Sequence, residues 1–168
     1  PAWRALGRAP HVPRGGYVLF LGTLEARKNL GALLDAYGSL IDGGVRPAPL
    51  VIAGKATPDA AVWLERLARQ PLAGYVRHVG YGGNREELYA GARLLVMPSH
   101  DEGFGIPVLE AMSAGVPVVA ADRGALPEVL GDAGLLVDPD DVNALAAAID
   151  LMLTDENFAA ECARRGLD

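Results

Sequence analysis

Two glutamates eight positions apart, Glu102 and Glu110, flank a glycine-rich turn in the run Ser99-His100-Asp101-Glu102-Gly103-Phe104-Gly105-Ile106-Pro107-Val108-Leu109-Glu110. A carboxylate offers two acceptor oxygens, which suits it to a vicinal diol such as a ribose. Gly103 and Gly105 let the backbone approach a ligand closely, and Pro107 suits the first turn of a helix whose N–H groups attract an anion. Carboxylates beside an anion hole fit a ligand that carries both phosphate and many hydroxyls; a nucleotide sugar is such a ligand. Two plainer readings compete. Strand-to-helix turns often hold glycine for steric reasons, and Glu110 could simply complement the helix dipole.

A second constellation is cationic: Gly22-Thr23-Leu24-Glu25-Ala26-Arg27-Lys28-Asn29. Cations at a helix N-terminus oppose the macrodipole at a cost of about 0.3–1 kcal/mol each. Arg27 and Lys28 are therefore poorly placed unless an anion sits between them and the dipole. A guanidinium fork beside a point charge suits a diphosphate, and a solvated basic pair is the alternative. The only two lysines, Lys28 and Lys55, both follow apolar runs; Lys55 reads equally well as ligand-facing or solvated.

Other candidates carry less. His100 abuts the glutamate turn but reads as an exposed loop residue, and His11 and His78 show no partner. Tyr81, in Gly80-Tyr81-Gly82-Gly83, could hold a nucleobase or be only part of a turn. Asp101, Asp122 and Asp132 lack metal-ligand spacing, and no His/Cys cluster suits zinc. Neither a Gly-x-x-x-x-Gly-Lys-Ser/Thr loop nor a Gly-x-Gly-x-x-Gly after the first strand occurs. Ser99 and Ser113 lack a nucleophile-elbow context.

These residues need elements to hold them, and hydropathy supplies the pattern. Short apolar runs at 17–21, 49–53, 76–79, 94–97, 116–120 and 134–137 read as buried strands. Helix-period segments alternate with them at about 29–41, 59–69, 85–92, 107–114, 141–153 and 156–165. Asp140 is expected to cap the helix at 141. The expectation is an α/β fold, a Rossmann-like doubly wound parallel six-stranded sheet with helices on both faces. Residues 1–15 read as a linker and 16–168 as one domain. At 168 residues and 51% hydrophobic, the chain can build a single core. Its net charge of −6 argues against a nucleic-acid partner. No apolar run spans a bilayer. No signal peptide is evident, and a lone cysteine, Cys162, gives no disulfide framework, so a cytoplasmic location is expected. A start at Pro1 suggests an excised or processed chain.

Together these segments resemble retaining glycosyltransferases of family 4, whose E-x7-E signature matches Glu102 to Glu110. The resemblance runs from about Tyr17 to Leu153. It includes Gly22 to Leu30, Leu50 to Lys55, Ala92 to Ser99, Glu110 to Val118, Leu126-Pro127-Glu128-Val129 and Gly131 to Gly134. It implies the C-terminal, donor-binding half of a two-domain GT-B fold, with the N-terminal acceptor half missing. Arg27 and Lys28 would hold the donor diphosphate and stabilise it as it leaves. Glu110 would bind the ribose, with Gly22, Thr23 and Tyr81 also near the donor. Glu102 and the backbone of Gly103, Phe104, Gly105 and Ile106 would hold the transferred sugar. The implied reaction moves a sugar from a nucleotide-diphospho-sugar to an acceptor in glycan or polysaccharide biosynthesis. Configuration would be retained, with no cofactor and no obligatory metal. The phosphate loop looks most like that of bacterial mannosyltransferases, which favours GDP-mannose. Membrane contact, peripheral to an inner membrane, would come through the missing half, and the fragment alone would be inactive. The alternative is a non-catalytic nucleotide-sugar-binding module of the same fold. An epimerase or phosphorylase would need an acid–base set or a cofactor lysine that the sequence does not show.

Overall fold

The computed structural model describes residues 16–80 and 84–167. The expected linker at 1–15 and the turn residue Tyr81 lie outside the described residues. Six strands form one sheet: β1 (Tyr17–Leu21), β2 (Leu50–Ala53), β3 (Val76–Gly80), β4 (Ala92–Met97), β5 (Val118–Ala121) and β6 (Gly134–Val137). Their spatial order is β3-β2-β1-β4-β5-β6, and every pairing is parallel. This is the doubly wound order, whose direction of progression reverses between β1 and β4.

Near-continuous apolar runs form these strands because both faces are covered. Side chains alternate between two cores. Val18, Phe20, Leu50, Ile52, Leu94 and Val96 enter one, where α1 (Leu30–Asp42), α2 (Ala61–Arg66), α6 (Val142–Thr154) and α7 (Glu156–Leu167) pack. Leu19, Leu21, Val51, Ala53, Leu95 and Met97 enter the other, closed by α3 (Arg85–Gly91), α4 (Ile106–Ser113) and α5 (Leu126–Leu130). In α1 the stripe Leu30, Leu33, Leu34, Tyr37 is wholly buried. Each such leucine contributes on the order of 2 kcal/mol of transfer free energy.

Several expected boundaries move for physical reasons. The helix expected at 59–69 is a 3-10 turn (Pro58–Ala60) followed by the six-residue α2. None of α2 is fully buried, so packing does not extend it. Strand β5 starts at Val118 because Pro117 has no N–H to give the ladder. Strand β4 starts at Ala92, the exposed Arg93 having masked its first turn in the sequence. Helix α6 is capped by Asp141, not Asp140: Asp141 Oδ1 accepts from the Ala144 N–H at 2.9 Å. Helix α4 begins at Ile106, with Pro107 second. Helix α5 was not foreseen, being only five residues long and carrying Pro127.

Candidate functional site

At the β1/β4 reversal, α1 leaves toward one core and α4 toward the other, so a crevice opens at the carboxyl ends of the strands. It has a volume of about 410 Å³. Gly22, Thr23, Arg27 and Lys28 reach it from the loop after β1, and Gly54 and Lys55 from the loop after β2. The opposite wall holds Arg85 of α3, Glu102, Phe104, and the first turn of α4 at Ile106 and Pro107.

Arg27 and Lys28 lie in a 3-10 turn (Ala26–Lys28) ahead of α1, joined to it by Asn29 in the left-handed conformation at φ 55°. They are not bare cations against a dipole. Lys28 Nζ donates to Glu102 Oε2 in an ion pair whose side chains are 8% and 13% exposed. Arg27 Nε donates to Glu25 Oε2 at 2.9 Å, and its Nη1 to the Asp101 carbonyl at 3.2 Å. The chain thus supplies its own counter-charges, which corrects the expectation that only an outside anion could justify the pair. The solvated reading fails for Lys28, a buried residue at 6% exposure.

Backbone bonds fix these loops. The His100 N–H donates to the Arg27 carbonyl at 2.8 Å, and Asn29 Nδ2 to the Pro139 carbonyl at 2.9 Å. The loops after β1 and β2 are zipped together. The Gly22 N–H donates to Ala53 O, the Leu24 N–H to Lys55 O, and Thr57 Oγ1 to Leu24 O. Gly54 is the closest point: a Cβ there would sit 1.8 Å from the Gly22 carbonyl oxygen. His78, read as unpartnered from sequence, has its ring Nε2 2.8 Å from the Gly54 carbonyl. His100 is exposed as expected, and its Nε2 lies 2.8 Å from Asp140 Oδ1.

The glycine turn aims α4 into the crevice. Gly105 caps it at φ 70°, a conformation L side chains rarely adopt. Phe104 and Ile106 stand exposed at the rim, at 67% and 50%. Glu102 is held from behind by the Ala125 N–H, which donates to its carbonyl at 3.2 Å. Glu110 sits one turn into α4, above Ile106 and Pro107. Arg85 Nη1 donates to its Oε1 at 2.9 Å, and the Tyr89 hydroxyl to its Oε2 at 2.8 Å. Burial, reinforced by the Glu110 carboxylate, pushes the Tyr89 hydroxyl far above the ordinary tyrosine range, so it remains a proton donor.

Of the residues expected at the site, Gly22, Thr23, Arg27, Lys28, Glu102, Phe104 and Ile106 line one crevice. Gly103 and Gly105 shape the turn without lining it. Glu110 stands at its edge, turned toward α3. Arg85 and Tyr89 were not foreseen; only their i,i+4 spacing on one helix face was visible, and nothing local announces a partner 25 positions away. Lys55 does reach the crevice, where it is exposed. Among the described residues, no group of three or more His, Cys, Asp or Glu side chains is placed to hold a metal ion. No helix among them is long and apolar enough to cross a membrane.

Comparison with known proteins finds relatives in sequence and in fold. Over 157 residues the chain is 45% identical to the O-antigen chain mannosyltransferase B of Escherichia coli, covering 90% of this chain and 40% of that protein. The chain therefore spans well under half the length of this relative. Among solved structures, Anabaena HepE in complex with UDP and glucose superposes with a TM-score of 0.78 at 26% identity. That match covers 90% of this chain and 42% of HepE. The C-terminal domain of LpcC, a glycosyl transferase group 1 family protein of Francisella tularensis, gives a TM-score of 0.76 at 26% identity. It covers 91% of this chain and 83% of that domain. The six-stranded parallel sheet with helices on both sides thus matches GT-B glycosyltransferase structures. The glycosyl transferases group 1 family matches residues 15–155, and the chain belongs to that family.

Proposed function

We propose that this chain is the C-terminal, donor-binding half of a retaining glycosyltransferase of family 4, acting in glycan or polysaccharide biosynthesis. The observation that carries the reading is the convergence of Arg27, Lys28, Lys55 and Glu102 on one crevice at the sheet's reversal point. Arg27 and Lys28 take the donor diphosphate. As the glycosidic bond breaks, negative charge grows on the leaving phosphate oxygen, and these fixed cations stabilise it. Glu102, already paired with Lys28, orients the transferred sugar together with the Gly103 to Ile106 backbone. Glu110 accepts the ribose hydroxyls.

The donor we favour is GDP-mannose, on the likeness of the phosphate loop to mannosyltransferases and on the 45% identical O-antigen mannosyltransferase. HepE, with UDP bound, is the neighbour that argues for testing other bases. The acceptor is the business of a second domain, so this chain alone transfers no sugar. The transfer uses no resident cofactor and no obligatory metal, and it takes place on the cytoplasmic side.

Titration calorimetry with GDP, UDP, ADP, their nucleosides and their sugar conjugates tests the reading. The expected result is saturable binding of one base series, tighter for the diphosphate than for the nucleoside. No heat with any ligand at millimolar concentration would overturn it.

A further inference from the structure

The second glutamate of the signature does not stand alone. Arg85 and Tyr89 are four residues apart on α3, so they share one helix face one turn apart. Each takes one oxygen of the Glu110 carboxylate, Arg85 at 2.9 Å and Tyr89 at 2.8 Å. The Tyr89 hydroxyl also lies 3.2 Å from the Pro107 carbonyl, and the ring itself is buried at 3% exposure. The phenol is therefore a fixed post, tied to the very helix it steadies.

An ionised carboxylate has about four acceptor positions, two on each oxygen. Two are taken from the α3 side, one per oxygen. Two remain, also one per oxygen, and the carboxylate cannot rotate about its last bond without giving up a partner. Ile106 and Pro107 precede Glu110 by four and three residues, so all three share a helix face, and that first turn lines the crevice. The remaining acceptor positions are thus a pair at fixed spacing, on a residue one helical turn from the crevice-lining Ile106 and Pro107. Such a pair is complementary to two adjacent donors, as a vicinal diol presents.

We propose that Arg85 and Tyr89 are positioning residues: they clamp Glu110 into a rigid two-point acceptor for a vicinal diol, so that the crevice selects ribonucleotides over 2′-deoxyribonucleotides. The inference rests on the nucleotide-sugar reading above and deepens it. Selectivity follows from rigidity. A site built to accept a hydroxyl discriminates against the analogue that lacks it, because the acceptor is left unpaired. A carboxylate free to turn would re-pair with water and discriminate less.

The test compares GDP, UDP and ADP with their 2′-deoxy counterparts by titration calorimetry. The proteins are the native one and the variants Tyr89→Phe, Arg85→Ala and Arg85→Lys. Inorganic pyrophosphate, which has no diol, is the control ligand. For the base that binds best, the native protein should prefer the ribonucleotide by about tenfold or more, the scale of a hydrogen bond to a charged acceptor. Tyr89→Phe and Arg85→Ala should cut that ratio to about threefold or less, and Tyr89→Phe, which removes no charge and changes no residue of the crevice lining, should leave pyrophosphate affinity unchanged. Arg85→Lys should fall between, since an ammonium keeps the charge but not the fork.

A ratio unmoved in Tyr89→Phe and Arg85→Ala, with ribonucleotides still bound, overturns the clamp and leaves the nucleotide reading standing. A parallel loss of pyrophosphate binding in Tyr89→Phe marks the contact as a general support of the fold and likewise overturns the clamp. Absence of binding by every ribonucleotide to the native protein removes the reading beneath, and the clamp with it.

Discussion

Two regions of this molecule are comparably dense in charge, and only one is built like a site. On α7, Glu161 is held by Arg164 at 2.9 Å and by Arg165 at 3.0 Å, with Asp132 3.4 Å from Arg165. In the crevice, Lys28 meets Glu102, Arg27 meets Glu25, and Arg85 meets Glu110. On α7 the partners come mostly from one helix face and stand in solvent. In the crevice they come from loops after β1 and β4 and from two helices, and the central pair is buried. Local ion pairs in water contribute little beyond solubility. A buried pair assembled across the sheet carries a desolvation cost that packing alone would not select. Convergence and burial, rather than the number of charges, separate the two regions.

Substitutions at Lys28 and Glu102 should have the largest effect. Lys28→Met should abolish the advantage of a nucleoside diphosphate over its nucleoside, an effect of about 100-fold on the scale of one lost electrostatic contact in a dry site. Each of Lys28→Met and Glu102→Gln should also cost about 2 kcal/mol of stability, because one polar partner is left without its mate. The double variant should lose less than the sum, since it leaves neither group alone. Chemical denaturation and nucleotide titration read the two effects separately. Equal losses for nucleoside and diphosphate would discredit the phosphate role, and strict additivity would discredit the pair.

Much of this contrast could be read before any coordinates. Leu19 through Leu21, Val51 through Ala53 and Leu94 through Met97 announce buried parallel strands, because covering both faces leaves no polar alternation. With six such runs and intervening helices, the location of the site at strand ends follows from the topology rule. Arg27, Lys28 and Glu102 stood out by their chemistry beside those strand ends, whereas Gly22, Thr23, Phe104 and Ile106 were implied by the family resemblance. What stayed hidden is the pairing. Lys28 and Glu102 are 74 positions apart, and sequence spacing says nothing of contacts made across a sheet. The same holds for Arg85, Tyr89 and Glu110. Helix α5 was missed because five residues show no helical period, and the Asp140/Asp141 cap because adjacent aspartates offer the same chemistry one residue apart.

A smaller effect comes from the floor that holds the crevice loops together. Gly54→Ala would push a methyl group into the Gly22 carbonyl, and backbone rather than a flexible side chain must move. The expected cost is about 1–3 kcal/mol, as for other overpacked sites. Because the shift separates Lys55 from Lys28, diphosphate binding should weaken more than nucleoside binding. Thermal unfolding together with the same titration series checks this. A variant as stable as the native protein would mean that the β1 and β2 loops are not the tight zip described above.

The α7 cluster should yield the smallest effect of all, and its pH dependence has a defined sign. The hydrogen bonds from Arg164 and then Arg165 pull the Glu161 carboxyl down from its ordinary 4.5 to about 2. A carboxyl lowered on folding contributes stability that is present above its unfolded value and is lost as pH falls through the folded one. Glu161→Gln should therefore shift the unfolding temperature by about a degree or two at neutral pH, given how little exposed pairs contribute. The difference from the native protein should shrink below pH 4.5 and vanish only below about pH 2. Nucleotide binding should not change, since no residue of the cluster lines the crevice. A larger loss in Glu161→Gln than in Lys28→Met would reverse the comparison, making the exposed helix the electrostatic keystone and the crevice pair incidental.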